Sequence, residues 1–236
     1  MRLRNLFCAV VAAGGLGLAV SQPASAVVVS AVLNTDFSGT TDATGFPSIS
    51  FNDFDGSGLV HVTLDNTNLA PATAFTSEWW FNFSGDATQL TLDNFTTSGG
   101  DGVLLPPSID TCNNCTDAAF RPDGDGFFDV VLGFETAAGD RFDAGEIVEF
   151  DITLAGITAD NFNLQSIAGP GNTSNDFWCA ATHAQGVGPA GEDSDFLGGQ
   201  CERFPPVEIP EPGTLLLLGF AAFGAGLVGR RRMRRE

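Results

Sequence analysis

The chain has 236 residues, of which 43% are hydrophobic, and a formal net charge of −19 at pH 7. The charge is concentrated in residues 27–209, where 27 acidic residues face three arginines and give a net charge of −24. A body this acidic repels nucleic acid, and we expect no nucleic-acid partner. Its many phenylalanines, valines and leucines exclude disorder, which requires low hydrophobicity as well as high charge.

The first predicted element is a secretory signal peptide over residues 1–26. A basic start is followed by an apolar stretch that runs to Val20, and Ala24 and Ala26 occupy the small-residue positions of a cleavage site. We therefore expect export from the cytoplasm and a mature chain that begins at Val27.

Residues 27–206 predict an all-β ectodomain, an antiparallel β-sandwich or jelly roll. Apolar and polar residues alternate along several short runs, which is typical of strands with one solvated face. Turn residues separate these runs at the spacing of a sandwich. The alternating residues that we assign to the core are Val60, Val62, Leu64, Trp79, Phe81, Phe83, Leu90, Leu92, Val130, Leu132, Phe134, Val148, Phe150, Ile152 and Leu154.

Two later segments depart from this alternation. A single helical turn is predicted from Thr158 to Phe162, where Thr158 is placed to cap it. Residues 163–206 lose the alternation and gather glycine, proline, asparagine and aspartate, and we expect an irregular loop there.

Two Asp/Gly segments are candidate calcium sites, and Ca²⁺ is the one cofactor that the sequence suggests. The first resembles an EF-hand loop at its first six positions, but Leu64 stands where a bidentate acid is expected. Asp-Gly steps are also ordinary turn chemistry. The candidate ligands are Asp53, Asp55 and Ser57 in the first segment and Asp123, Asp125 and Asp129 in the second.

A candidate glycan contact lies in the strand that contains two adjacent tryptophans. If Trp79 faces the core, Trp80 points outward beside Asn82 and Glu78, and together they could stack on a sugar ring and bond to its hydroxyls. The alternative is that Trp80 is covered by a neighbouring loop, since large aromatic side chains are usually well buried.

Four cysteines remain after removal of the signal peptide. An even number in an oxidising compartment indicates two disulfides, and three pairings are possible. We favour Cys112–Cys115 and Cys179–Cys201. The alternative for the first pair is a redox or metal site, but no βαβ context and no second close pair accompanies it.

No catalytic motif is recognisable, and we expect the protein not to be an enzyme. His61 is predicted on the solvated face of a strand and His183 in the late loop, where a structural role is expected. A secreted hydrolase would need two carboxylates, or a histidine and a nucleophile, in one cleft.

The C-terminal segment, residues 207–236, contains three blocks. The apolar run 214–229 is uncharged and, as a helix, reaches about 24 Å, which predicts a transmembrane helix with arginines on the cytoplasmic side. A buried core helix is the alternative, and the adjoining arginines disfavour it. The flanking residues are Pro210, Glu211, Pro212 and Gly213 before the run and Arg230, Arg231 and Arg232 after it.

These blocks, in this order, resemble the PEP-CTERM sorting signal of bacteria that make extracellular polysaccharide. The resemblance implies an exosortase-like processing enzyme as partner, a transient anchor in the inner membrane, and processing near Pro210–Pro212. It implies delivery to the cell surface or extracellular matrix and a structural or adhesive role in an exopolysaccharide or biofilm. The alternatives are a carbohydrate- or calcium-binding module and, third, a secreted hydrolase.

Overall fold

The computed structural model describes residues 26–37, 39, 42–54, 58–100, 102–113, 115–124, 126–168 and 177–204. These residues form two antiparallel sheets packed face to face, and the predicted all-β sandwich is confirmed. The described part of the chain contains no helix that is long and apolar enough to span a membrane. The predicted signal peptide, apart from Ala26, and the predicted span 214–229 lie outside the described residues.

The sandwich contains thirteen strands, all paired antiparallel. Sheet one has the order β13-β1-β3-β4-β10-β6, and sheet two has the order β2-β12-β11-β5-β8-β7, with β9 also pairing with β5. In chain order the strands are β1 (Val28–Val32), β2 (Thr35–Asp36), β3 (Ser48–Asn52), β4 (Leu59–Asp65), β5 (Phe75–Phe81), β6 (Thr91–Ser98), β7 (Ser108–Thr111), β8 (Val130–Gly133), β9 (Phe142–Asp143), β10 (Ile147–Thr153), β11 (Ala180–Val187), β12 (Asp193–Gly199) and β13 (Glu202–Phe204).

The core lies between the two sheets and is filled by the alternating residues of the central strands. Burying these apolar side chains is the main favourable term in folding, at about 25 cal/mol per Å² of apolar surface. Phe51 of sheet one and Phe162 stack at the centre, with ring centroids 4.4 Å apart. Of the predicted core residues, those that are fully buried or nearly so are Val60, Val62, Leu64, Trp79, Phe81, Phe83, Val130, Leu132, Phe134, Val148, Phe150 and Ile152. Leu90, Leu92 and Leu154 are partly buried and pack against them.

The predicted helical turn is present as a 3-10 helix over Ala159–Phe162. The backbone N–H of Thr158 donates to the Asn161 side chain at 2.8 Å, which closes the turn. Phe162 is thereby directed into the core between the sheets.

The irregular loop predicted over residues 163–206 is wrong, because three strands lie in it. β11 and β12 are neighbours in sheet two, and β13 is an edge strand of sheet one. The alternation is absent because the first half of β11 is buried on both faces: Ala180 belongs to the core, while Ala181 belongs to a second cluster on the outer face. A strand covered on both faces shows no polar residue at every second position.

The second cluster covers one half of the outer face of sheet two. The described residues 115–124 and 126–128 place Phe120 and Phe128 over this face. The cluster also contains Trp80, Val131, Trp178 and Ala181.

Candidate functional site

The other half of the outer face of sheet two is an open groove of about 470 Å³. Glu78 on β5 points outward because its neighbour Trp79 faces the core. His183 and Gln185 on β11 lie beside it, and Glu135 follows β8 on the opposite side. Leu104, Pro106 and Pro107 form an apolar wall of the groove.

A bulge in the sheet places an additional side chain in this groove. The register between β5 and β11 shifts between His183 and Ala184, which leaves Ser77 unpaired across the two strands. Ser77 Oγ lies 3.2 Å from His183 Nδ1 and accepts a hydrogen bond from Gln185 Nε2 at 2.7 Å. Bulges of this kind re-direct side chains next to binding and active sites.

Burial changes the protonation of two groups in the groove. It raises the pKa of Glu78 above its usual value, because the charged carboxylate is partly removed from water. It lowers the pKa of His183, whose ring stacks on Phe196 with centroids 4.2 Å apart. The groove therefore presents a neutral imidazole, an amide, a hydroxyl and two carboxylates, which are suited to accepting and donating hydrogen bonds.

The Ser77, His183 and Glu78 side chains do not form a catalytic relay. In such a relay the nucleophile and the acid contact opposite nitrogens of the imidazole. Here Ser77 and Glu78 both approach Nδ1, at 3.2 and 3.8 Å, and Ser77 is only 5% exposed. His61 lies on β4 of sheet one, on the outer face of the opposite sheet, so the two histidines do not share a site.

Two carboxylates, Glu78 and Glu135, line the groove. A raised pKa on one of two such groups is the property of a general acid in glycoside hydrolysis. The sequence offered no sign of this pair, because the two residues are 57 positions apart and meet only through the pairing of β5 with β8. Such pairs are not recognisable from composition in so acidic a chain.

The predicted glycan contact at Trp80 and Asn82 is wrong, because each side chain is only 2% exposed. Trp80 does point to the outer face, but the segment that carries Phe120 covers it, and its indole N–H donates to the Ala119 carbonyl at 3.2 Å. The Asn82 amide donates to the Trp178 carbonyl. Both residues stabilise the second cluster.

The candidate calcium ligands that the structure describes have other partners. Asp53 is 3% exposed and accepts hydrogen bonds from the backbone N–H groups of Val27 and Ala159. Asp129 accepts one from the N–H of Phe83, and burial raises its pKa although this hydrogen bond opposes the shift. The part of the chain that the structure describes contains no cluster of three metal ligands. The remaining candidates are Asp123, which is exposed, and Asp55, Ser57 and Asp125, which lie outside the described residues.

The four cysteines pair as the sequence favoured. Cys112–Cys115 closes a short loop whose sulfurs pack against the second cluster. Cys179–Cys201, with Cα atoms 5.7 Å apart, joins the start of β11 in sheet two to the start of β13 in sheet one. The second disulfide therefore ties the two sheets together.

The residues proposed for sorting follow the last described strand, β13, and lie outside the described residues. A family model for the PEP-CTERM protein-sorting motif matches residues 208–232. The chain carries a PEP-CTERM sorting motif. This motif includes the Pro-Glu-Pro block, the apolar run and the first arginines, and it marks an exported protein that is sorted and processed by an exosortase. No curated protein and no solved structure was found to match the chain.

Proposed function

We propose that this PEP-CTERM protein is a structural or adhesive component of the cell surface or the extracellular polysaccharide matrix. The observation that carries the proposal is the sorting motif at residues 208–232, which is separated by only three residues from Phe204 at the end of the sandwich. Processing within the motif leaves the sandwich as the displayed part. The protein is then the substrate of the exosortase and not itself an enzyme.

The properties of the sandwich suit this role. Two disulfides stabilise it in an oxidising environment, and a body with a net charge of −24 stays soluble among other molecules of the matrix.

A gene deletion in the native host tests this role. We expect the deletion strain to attach less to surfaces and to shed more polysaccharide into the medium, and the wild-type gene to restore both. A matched gene in which Pro210, Glu211 and Pro212 are alanines should fail to restore them. Unchanged attachment and unchanged matrix in the deletion strain would contradict the proposal.

The groove on sheet two supports a second function, carbohydrate binding. Sugar hydroxyls are recognised by carboxylates, amides and hydroxyls, and a pocket with convergent polar groups and an apolar wall is typical of a small-ligand site. Glu78, Gln185 and Glu135 supply the polar groups here, and two prolines supply apolar surface. Binding at this groove would attach the protein to the matrix directly.

Calorimetric titration of the exported protein with the host polysaccharide tests this second function. We expect Glu78→Gln or Gln185→Ala to weaken binding by about tenfold, because each removes a hydrogen bond to the ligand. Thr63→Ala, on the outer face of sheet one, is the control and should bind as the wild type does. A titration that releases or absorbs no heat argues against the groove as a glycan site. The appearance of new reducing ends in the polysaccharide would instead identify the protein as a hydrolase.

A further inference from the structure

The N-terminal end of the sandwich makes a contact that export would change. The backbone nitrogen of Val27 lies 2.7 Å from Asp53 Oδ1, and the Asp53 N–H donates back to the Val27 carbonyl at 3.2 Å. Val27 is also the residue at which the mature chain is expected to begin. In the uncleaved chain this nitrogen is a neutral amide.

Asp53 is a buried carboxylate that lacks a cationic partner in the described part of the chain. It is 3% exposed, and its second oxygen, Oδ2, accepts the Ala159 N–H at 3.2 Å. No ion pair between Asp53 and a basic side chain occurs among the described residues; Arg203 attracts Asp53 only from a distance, because its guanidinium is paired with Asp160. Buried charges are costly unless they are paired, and two amide donors satisfy this carboxylate only in part.

We propose that cleavage by a signal peptidase creates this missing partner, and that the α-ammonium group of Val27 forms a buried ion pair with Asp53 in the exported protein. Hydrolysis of the Ala26–Val27 peptide bond takes up one water and leaves a carboxylate on Ala26 and a protonated amine on Val27. The amine is already positioned, because Val28 begins β1 and Val27 packs against the core. The inference rests on the export that belongs to the proposed function.

The consequence is a fold that is less stable before cleavage than after it. Hydrogen bonds to charged groups contribute more than neutral ones, so cleavage is expected to lower the unfolding equilibrium constant by about fivefold to tenfold. A precursor that retains its signal peptide therefore folds less tightly, which favours its passage across the membrane. The ion pair forms only after the chain has crossed the membrane and the signal peptide has been removed.

The composition of the chain makes the test unusually direct, because the sequence contains no lysine. The α-amino group is then the only amine in the mature protein. Reductive methylation with ¹³C-formaldehyde keeps its positive charge and gives one NMR signal, whose shift with pH reports the pKa of that amine.

We expect this pKa, in protein recovered from the native host, to exceed that of the urea-unfolded chain by about one unit, a tenfold difference in proton affinity. Asp53→Asn should remove the difference. Asp160→Asn is the matched control, since it removes a carboxylate that contacts Arg203 rather than Val27. The other titratable groups at this corner are Glu202 on β13 and His61 on β4, and both are unchanged in Asp53→Asn and Asp160→Asn, so their effect on the amine is the same in the two variants.

Three results would overturn the inference. The first is a wild-type pKa that does not change on unfolding, and the second is a raised pKa that survives Asp53→Asn. If Asp53→Asn does not fold, the pKa of the amine in the folded wild type, compared with that in the unfolded wild type, still tests the ion pair. The third is a mass spectrum in which the mature chain begins at a residue other than Val27, which refutes the ion pair. If the same spectrum shows a processed C-terminus, the proposed sorting by the exosortase still holds.

Discussion

His61 lies between two carboxylates on the outer face of sheet one. Its Nδ1 is 2.9 Å from Asp151 Oδ1, and its Nε2 is 3.4 Å from Glu149 Oε1. Partial burial lowers the pKa of His61, but the hydrogen bonds to Asp151 and Glu149 outweigh burial, and the pKa is raised above its usual value of 6.5. Since the two nitrogens point to different acids, the three residues form an ion-pair cluster and not a metal site.

We predict that His61→Gln lowers the free energy of unfolding by about 0.5–1 kcal/mol at pH 5.5. The pKa is raised in the folded state, so the protonated imidazole stabilises the fold below the unfolded pKa, and this contribution is lost as pH rises through the folded pKa. At pH 8.5 the variant and the wild type should differ little. Urea unfolding at both pH values measures this, with Thr63→Ala as the control. A loss of equal size at both pH values would rule out the ion pairs.

Glu146 is a fully buried acid at the turn before β10. Its Oε1 accepts the Gly102 N–H at 3.0 Å, and its Oε2 accepts the Asp143 N–H at 2.7 Å. One side chain thus joins the segment after β6 to the turn between β9 and β10. No local pattern in the sequence indicates the contact with Gly102, because that residue lies 44 positions before Glu146.

We predict that Glu146→Gln lowers the free energy of unfolding by about 1–3 kcal/mol, because the new amide group faces a backbone N–H and leaves a buried donor unpaired. Chemical denaturation of the exported protein measures this. Glu135→Gln, at an exposed position, is the matched control and should stay within about 0.5 kcal/mol of the wild type. Equal losses in both variants would show that Glu146 has no special role.

At the scale of the elements, the sequence predicted strands whose large core residues recur at every second position, including β5 and β8, and it failed at β11. β4 and β10 show the alternation of buried and partly exposed residues along their whole length, and each was identified with its core residues. β11 was missed because its small residues are buried on both sides. The groove could not be predicted either, because two of the residues that line it, His183 and Gln185, lie on β11.

The disulfides differ in the length of chain that they close. Cys179–Cys201 closes 22 residues and Cys112–Cys115 only three, and a longer loop restricts the unfolded chain more. We predict that serine at both positions of the longer pair lowers the free energy of unfolding by about 3 kcal/mol, against about 2 kcal/mol for the shorter pair. Denaturation of the two double variants measures the difference. A larger loss from the shorter pair would show that the tie between the sheets contributes little.

At the scale of the whole molecule, both ends of the sandwich lie at one edge. Val28 at the start of β1 pairs with Phe204 at the end of β13, which is the edge strand of sheet one next to β1. The predicted signal peptide and the sorting motif therefore leave the sandwich from adjacent strands. The two points of attachment therefore lie at a single corner of the sandwich.

The intact mass of the processed protein reports where the mature chain begins and ends. We expect protein from the envelope and the medium of the native host to begin at Val27 and to end near Pro212, because the sorting motif directs processing there. Alanines at Pro210, Glu211 and Pro212 should leave residues 213–236 on the chain and keep it in the envelope. Alanines at Pro205 and Pro206 are the matched control, since these prolines precede the matched residues 208–232. A wild-type product that still carries residues 214–236 would mean a stably anchored ectodomain, and the motif would then act as a membrane anchor rather than as a processing signal.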